Sequence, residues 1–504
     1  KDYGVWVTTA TSSAAPSSFT MSGDAVISDC GAGIDSSLSQ GGGICITNKC
    51  NLTINGGTIT NCAAQLGGGV YFGGDTFTMS GGSITNCKAG SGGGVLLTGG
   101  SFTMKDGEIS GCTANEGNSI YMAEAGSSSP TFTQSGGTIA GTASLVYQLN
   151  GTTCRMEGLG TSADPYQIEN GTQLLLFQSI VNGTDTQAAN PAACAELTND
   201  IDMSSIANFA PIGTETDSYI GTFNGNGHNI SGLKVSGSDY VGLFGYVNGA
   251  TIQSINLCDS QITATNAGGI DTSTGGIVGF ATGAAKIENC STNHIKIDAA
   301  NSRHIGGIIG RGENLTGISN CTNTSSFGGT YNVGGIAGSL YGGSITNCGN
   351  SGDLPAAQAS SCVGGIVGLT SSGQISTCYN TGKVTGGSNA DVGGIVGTSY
   401  FSFSISDCYN VGAVQGGLIG GIAGSAYGTF RYCYNTGAVT SSPYSGGVIG
   451  DNAGITIDHC YYLDTAAPVG IFNHPQPGVE SRTAAEFANG SVLTSLTEGR
   501  DESI

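Results

Sequence analysis

The chain has 504 residues, of which 89 are glycine and 10% are charged, and its formal charge is −21. That acidic balance argues against nucleic acid and anionic membranes as partners, and no apolar run approaches the length of a membrane span. The composition excludes an ordinary helical enzyme, while β-branched residues recurring on a strict period separate the chain from disordered polymers of similar polarity. It starts Lys1-Asp2-Tyr3 with neither an initiator Met nor a signal peptide, which reads as a mature form or an excised piece.

Residues 1–150 form a first repeat set. Phe19-Thr20-Met21-Ser22-Gly23, Leu52-Thr53-Ile54-Asn55-Gly56, Phe77-Thr78-Met79-Ser80-Gly81 and Phe102-Thr103-Met104-Lys105-Asp106-Gly107 are copies of one motif. A glycine turn and an Ile-x-x-Cys strand follow, as in Gly81-Gly82-Ser83-Ile84-Thr85-Asn86-Cys87, then Gly-Gly-Gly-Val at Gly67 to Val70 and Gly92 to Val95. Phe132-Thr133-Gln134-Ser135-Gly136-Gly137 is a last copy without cysteine. Alternation puts Phe and Met on one face and Thr on the other. This set resembles the β-helical repeats of bacterial surface adhesins and polymorphic outer-membrane-type proteins.

Residues 151–200 break the pattern and serve as a linker with a capping helix. Asn170-Gly171-Thr172 leads into an apolar run of helical spacing that ends at Gly183. Such a helix would cover the open end of the following solenoid, whose strand edges are otherwise unpaired.

Residues 201–470 repeat one short sentence. Each copy opens on a doubled glycine, an apolar pair and a third glycine, as in Gly275-Gly276-Ile277-Val278-Gly279, and the signature returns at Gly306, Gly334, Gly364, Gly393, Gly420 and Gly446. From the second glycine to the cysteine of the Ile-x-x-Cys strand the gaps are 14, 14, 13, 13, 14, 12 and 13 residues. Between the cysteines Cys290, Cys321, Cys348, Cys378, Cys408, Cys433 and Cys460 they are 31, 27, 30, 30, 25 and 27. One half of each copy is therefore nearly constant and the other absorbs insertions, as in a solenoid with one packed face and one loop face. Apolar runs of three to five residues bounded by Gly or Asn suit short strands, not helices. The reading is an all-β chain: a right-handed parallel β-helix of two repeat segments joined by the capping helix region. Its handedness rests on the general bias of parallel crossovers. Ile and Cys, three positions apart, share the interior only if a bend separates them.

The order Asp164-Pro165-Tyr166-Gln167-Ile168, helix, Asn199-Asp200-Ile201-Asp202, Phe223-Asn224-Gly225-Asn226-Gly227-His228-Asn229-Ile230, Gly242-Leu243-Phe244-Gly245 and then serial Gly-Ile-Val-Gly resembles GLUG-motif repeat proteins. The resemblance spans roughly residues 155–500 and implies a bacterial cell-surface protein of adhesin-like architecture. In that family the chain commonly runs on past a segment like Phe487-Ala488-Asn489-Gly490, so residues 471–504 read as a truncated C-terminal tail.

Seventeen cysteines is an odd count. Those in the repeated slot, with Cys30, Cys62, Cys87 and Cys112 in the first set, read as a ladder of small buried side chains, since in-register parallel neighbours are poorly oriented for disulfides. Cys45 with Cys50, and Cys154 with Cys194, lie off the ladder and are disulfide candidates. No cysteine pair has matching His spacing, so no metal or other cofactor is expected.

No catalytic constellation emerges. Asp200 and Asp202 share a strand face and read as turn and capping residues; His228 lies in a glycine-rich turn and reads as a structural hydrogen-bonding group. His294, His304, His459 and His474 have no consistent partner spacing, and none of the 14 Lys and Arg residues recurs on the period. The candidate ligand-binding residues are aromatic. Cys378-Tyr379-Asn380, Cys408-Tyr409-Asn410 and Cys433-Tyr434-Asn435 share one register, with Tyr461 and Tyr462 after Cys460. If Cys points in, Tyr379, Tyr409, Tyr434 and Tyr461 point out in a row that stacks on sugar rings or a partner's apolar surface, or on itself. The Asn after each Tyr reads as an internal turn ladder. The expectation is an extracellular module of the bacterial cell surface, a stalk or adhesin that binds a host surface protein or a carbohydrate ligand without catalysis. The alternative is a carbohydrate-active β-helix enzyme, a polysaccharide lyase or glycoside hydrolase.

Overall fold

The computed structural model describes residues 4–9, 16–31, 39–123, 130–134, 136–139, 143–149, 152–183, 189–265, 272–299, 301–355, 362–401, 403–440, 443–473 and 475–497. They divide into two compact units, one of Lys1–Ile168 with Thr172–Ala188 and one of Glu169–Gly171 with Ala189–Ile504.

In the first unit the repeated motif stacks on itself. Strands Asn51–Thr60, Thr76–Thr85 and Ser101–Ser110 pair in parallel, with Leu52 opposite Phe77, Phe77 opposite Phe102, and Ile59, Ile84 and Ile109 in one file. The rings of Phe77 and Phe102 stack at 4.0 Å and 10°. The glycine after each motif does not end the strand. It takes φ of +87°, +81° and +104° at Gly57, Gly82 and Gly107 and bends one long strand through a register shift. The parallel pattern ends at an antiparallel pair, Ala143–Leu149 with Thr152–Glu157. The predicted helix forms as α1, Gly171–Asn182; its Leu174, Phe177 and Val181 are buried, and Phe177 meets Tyr166 edge-on at 6.5 Å.

The second unit is a parallel β-solenoid. One coil shows the plan: a long strand Ala337–Thr346, then short strands Gly349–Asn350, Leu354–Pro355 and Cys362–Gly364. Each strand pairs in parallel with its equivalent one coil on, so Ile318, Ile345, Ile375 and Ile405 form one interior file. The bend expected between Ile and Cys is a single left-handed residue just before the cysteine. Asn289, Asn320, Asn347, Thr377, Asp407, Tyr432 and His459 have φ between 49° and 58° there. Asn tolerates this region best, and its amide adds a surface file: Asn320 Nδ2 donates to Asn289 Oδ1 at 3.0 Å and Asn347 Nδ2 to Asn320 Oδ1 at 2.7 Å.

Beyond the bend, Cys321, Cys348, Cys378 and Cys408 are buried to 1% exposure or less. The backbone N–H of Cys348 donates to Cys378 Sγ, and that of Cys378 to Cys408 Sγ, each at 3.4 Å. The ladder is unlinked, as anticipated. Cys45 and Cys50 correct the other expectation: both are free, buried thiols. Cys45 lies on strand Ile44–Thr47 opposite Tyr71, and after the left-handed pair Asn48-Lys49 the Cys50 thiol faces the Asn48 carbonyl at 3.7 Å. Cys194 is free as well, and the side chain of Cys154 lies outside the described residues.

The interior also holds a polar file. Asn323, Asn350, Asn380, Asn410 and Asn435 are fully buried. Nδ2 of each of the first four donates to Oδ1 of the next at 2.7, 2.7, 2.8 and 2.7 Å. A second N–H bonds a backbone carbonyl two residues on, as from Asn380 to Gly382 at 2.8 Å. These amides explain the second glycine of each pair, and the backbone of the turn itself explains the first. A Cβ on Gly365 would stand 2.5 Å from Asn380 Cγ, and one on Gly364 would stand 2.0 Å from the Val367 carbonyl. The coil is too thin at this corner for any side chain opposite the amide.

Replacing Asn380 with Ala should strand an N–H of Asn350 and the Oδ1 of Asn410, costing about 3 kcal/mol in a denaturant melt. Native-state thiol labelling of Cys321, Cys348, Cys378 and Cys408 should be slow until the chain unfolds; rapid modification of all four would reverse the assigned strand faces.

Candidate functional site

The tyrosine row forms as a stack. Tyr379 lies opposite Tyr409, Tyr409 opposite Tyr434 and Tyr434 opposite Tyr461. Ring centroids are 5.5 Å apart at 12° for the first pair and 5.2 Å apart at 5° for the second. All three of these rings are half-buried. The Tyr379 ring lies over Gly349. Burial first, and then the ring before it in the row, raises the hydroxyl pKa of both Tyr409 and Tyr434.

Tyr461 departs from the expected outward row. It is only 5% exposed, packed with Val492 and Leu496 under the Arg482 guanidinium, whose carbon lies 5.0 Å from the ring centre. What covers it is the segment that reads as a tail. Strand Val479–Arg482 pairs with Cys460–Leu463, and helices α2 (Ala484–Ala488) and α3 (Ser491–Thr497) follow. A reciprocal Thr483–Glu486 capping box starts α2. Phe487 reaches Tyr434 at 5.8 Å, so Tyr379 and Tyr409 are the members of the row clear of these helices.

The two carboxylates of the first coil have the turn roles assigned to them. Asp200 Oδ1 accepts the Asn229 backbone N–H at 2.9 Å and lies 3.2 Å from His228 Nδ1, while Asp202 caps the Ser204 N–H at 2.8 Å. Backbone hydrogen bonding from Asn229 is the main cause that lowers the Asp200 pKa. His304 is buried, with Nδ1 at 2.6 Å from Ser339 Oγ, and His474 lies outside the described residues.

A second surface runs along two files whose residue types change from coil to coil. At the doubled-glycine corner, side chains of the strand before the bend meet those of the strand after it. Thr398 Oγ1 donates to Asp391 Oδ2 at 2.8 Å, seven residues apart. Along this seam lie Tyr240, Tyr246 and Phe280, with centroids 4.8 to 5.3 Å apart, and then Arg311, paired with Glu313 and held over the rings of Phe280 at 5.5 Å and Tyr341 at 5.2 Å. Farther on come Tyr444 and Phe472, edge-on at 5.3 Å and 86°. Reading aromatics by exact repetition misses them: the seam is two in-register files, Tyr246, Phe280 and Arg311 on one and Tyr240 and Tyr444 on the other, but only some coils place an aromatic there. The cue available was the residue seven after the start of each Gly-Gly corner strand.

A parallel β-solenoid with aromatic surface files is thus a scaffold class on which known motifs can be placed. Residues 329–354 and 359–385 match the GLUG motif, so this chain carries that repeat in tandem. Over 163 residues, 30% of the chain, it is 33% identical to halomucin of Haloquadratum walsbyi; the match spans 2% of that much longer protein. Among solved structures it is similar to a candidate immunoglobulin A1 protease from Bacteroides ovatus, at a TM-score of 0.44 and 22% identity over 68% of this chain and 90% of that one.

Burial, opposed by the Thr398 hydrogen bond and reinforced by the Asp451 carboxylate, raises the pKa of Asp391. Cys362 and Tyr400 face the same carboxylate. A carboxyl raised in the fold is destabilising once ionised, so its cost appears as pH rises through the folded pKa and is absent below the ordinary aspartate range. Asp391→Asn, which keeps the bond from Thr398, should therefore raise Tm by a few degrees at pH 7 and leave it unchanged near pH 3; melts across that range check this.

Proposed function

We propose that this chain is an extracellular module of a bacterial surface protein, a rigid solenoid that displays a binding face and performs no catalysis. The similarity to halomucin and the tandem GLUG motif support the surface assignment. The single observation that carries the binding role is the tyrosine stack. Tyr379 and Tyr409 are half-buried, parallel and held on a scaffold whose core does not depend on them. Rings fixed in this way give contact area at little entropic cost, and their faces suit a sugar ring or an apolar protein surface. The partner is a host surface protein or a carbohydrate. The acidic surface, at a formal charge of −21, disfavours anionic partners.

Replacement of Tyr379 and Tyr409 together by Ala should weaken attachment to host cells or glycan-coated surfaces by about tenfold per ring and leave the melting temperature close to the parent's. A lower melting temperature with unchanged attachment would mean that the rings only stiffen the sheet. A polysaccharide panel addresses the enzymatic alternative: cleavage products would replace the adhesive reading by a carbohydrate-active one.

A further inference from the structure

The seam offers a second, better-shaped site. An open pocket of about 580 Å³ lies at its end, lined by Tyr444, Phe472, Asp451, Asn473, Asn389 and Leu418 among others. Tyr444 is 56% exposed, the highest value among the described tyrosines of the solenoid, and Phe472 supports it edge-on. Asn473 Nδ2 donates to Asp451 Oδ1 at 3.0 Å, which fixes both planar groups and leaves Asp451 Oδ2 and Asn473 Oδ1 as acceptors. Asn389 adds a second amide, itself exposed, from an earlier coil.

We infer that this pocket is a binding subsite for a neutral oligosaccharide. The inference rests on the adhesive reading above and gives it a ligand class and a place. A hexose presents an apolar C–H face and a rim of paired hydroxyls; one exposed, braced ring beside fixed amide and carboxylate groups matches both. A flat apolar peptide surface would offer no donor to Asp451 Oδ2 and Asn473 Oδ1. Anionic sugars are disfavoured, because no Lys, Arg or His stands among the described lining residues, whereas Asp451 does and Asp391 feels its charge. The parallel ladders that carry the pocket also set its direction. Leu418 lies opposite Tyr444 and Asp391 opposite Leu418, so the next contacts lie one coil apart along the solenoid. That arrangement suits an extended chain of sugars lying along the seam.

The test is calorimetric titration of the whole chain with soluble cello-, manno- and N-acetylchito-hexasaccharides, and with hexagalacturonate as the acidic counterpart. At least one neutral hexasaccharide should bind and the hexagalacturonate should not. Tyr444→Ala should weaken that binding at least tenfold, Tyr444→Phe should keep it within about threefold, and Asp451→Ala should weaken it without lowering the melting temperature by more than a few degrees. The Tyr379→Ala/Tyr409→Ala protein should bind the same sugar normally. No binding by any neutral sugar at millimolar concentration overturns the inference, as does binding that survives Tyr444→Ala. If the double tyrosine protein loses the sugar while Tyr444→Ala keeps it, this pocket fails and the adhesive reading stands. If neither the sugars nor host surfaces are bound, both fail.

Discussion

In the second unit, in-register parallel pairing sets each side chain beside its own equivalent one coil away. That constraint governs which residues the repeat can hold. A residue repeated along a file must pack well against itself, and the repeated files obey this. Isoleucines interdigitate, cysteines stack as thiols, asparagine amides donate to the next amide, and tyrosine rings lie face to face. A charged residue repeated on the same file would meet its own charge at the coil spacing. This is a physical reason for a chain with only 10% charged residues.

The asparagine file shows how one polar choice propagates. A buried amide is costly unless both its donors and its acceptor are used. Here one N–H goes to the neighbouring coil and the other to a carbonyl within its own coil, and the oxygen accepts from the coil before. The amide fits only where the opposite wall has no side chain, which ties it to the second glycine of the pair on the other side of the repeat. Two halves of the motif that look independent in the sequence are thus one contact. At Cys460 the file ends: Tyr462 takes the place of Asn and lies against Gly447, next to the strand and helices that finish the unit.

Surface function follows from the same geometry. The core is carried by inward files, so outward positions are released from packing and can vary from coil to coil. Where they repeat, as at Tyr379 and Tyr409, they make a regular strip; where they differ, as along the glycine corner, they assemble a local site such as the one around Tyr444 and Asp451. A rigid scaffold bearing both kinds of surface would suit the attachment role proposed above, because the ordering cost of its side chains is met by folding.

Much of this was legible in the chain itself. The constant Gly-to-Cys gaps, the short apolar runs and the Cys-Tyr-Asn register determine the parallel solenoid, the inward cysteines, the bend before them and the amide file, because a repeat of near-fixed length leaves each residue facing its own copy. Three things were decided only in three dimensions. The burial of Tyr461 depends on helices contributed by residues 484–497, which lie outside the repeat. Cys45 and Cys50 stay apart because a left-handed pair of residues turns the chain between them, a conformation that sequence distance does not reveal. The seam at the glycine corner joins residues seven apart within a coil and others whole coils apart. Its two positions recur in every coil, but the residue types on them do not, so no repeated motif marks it, and the contact between them is made by the sharpness of the bend.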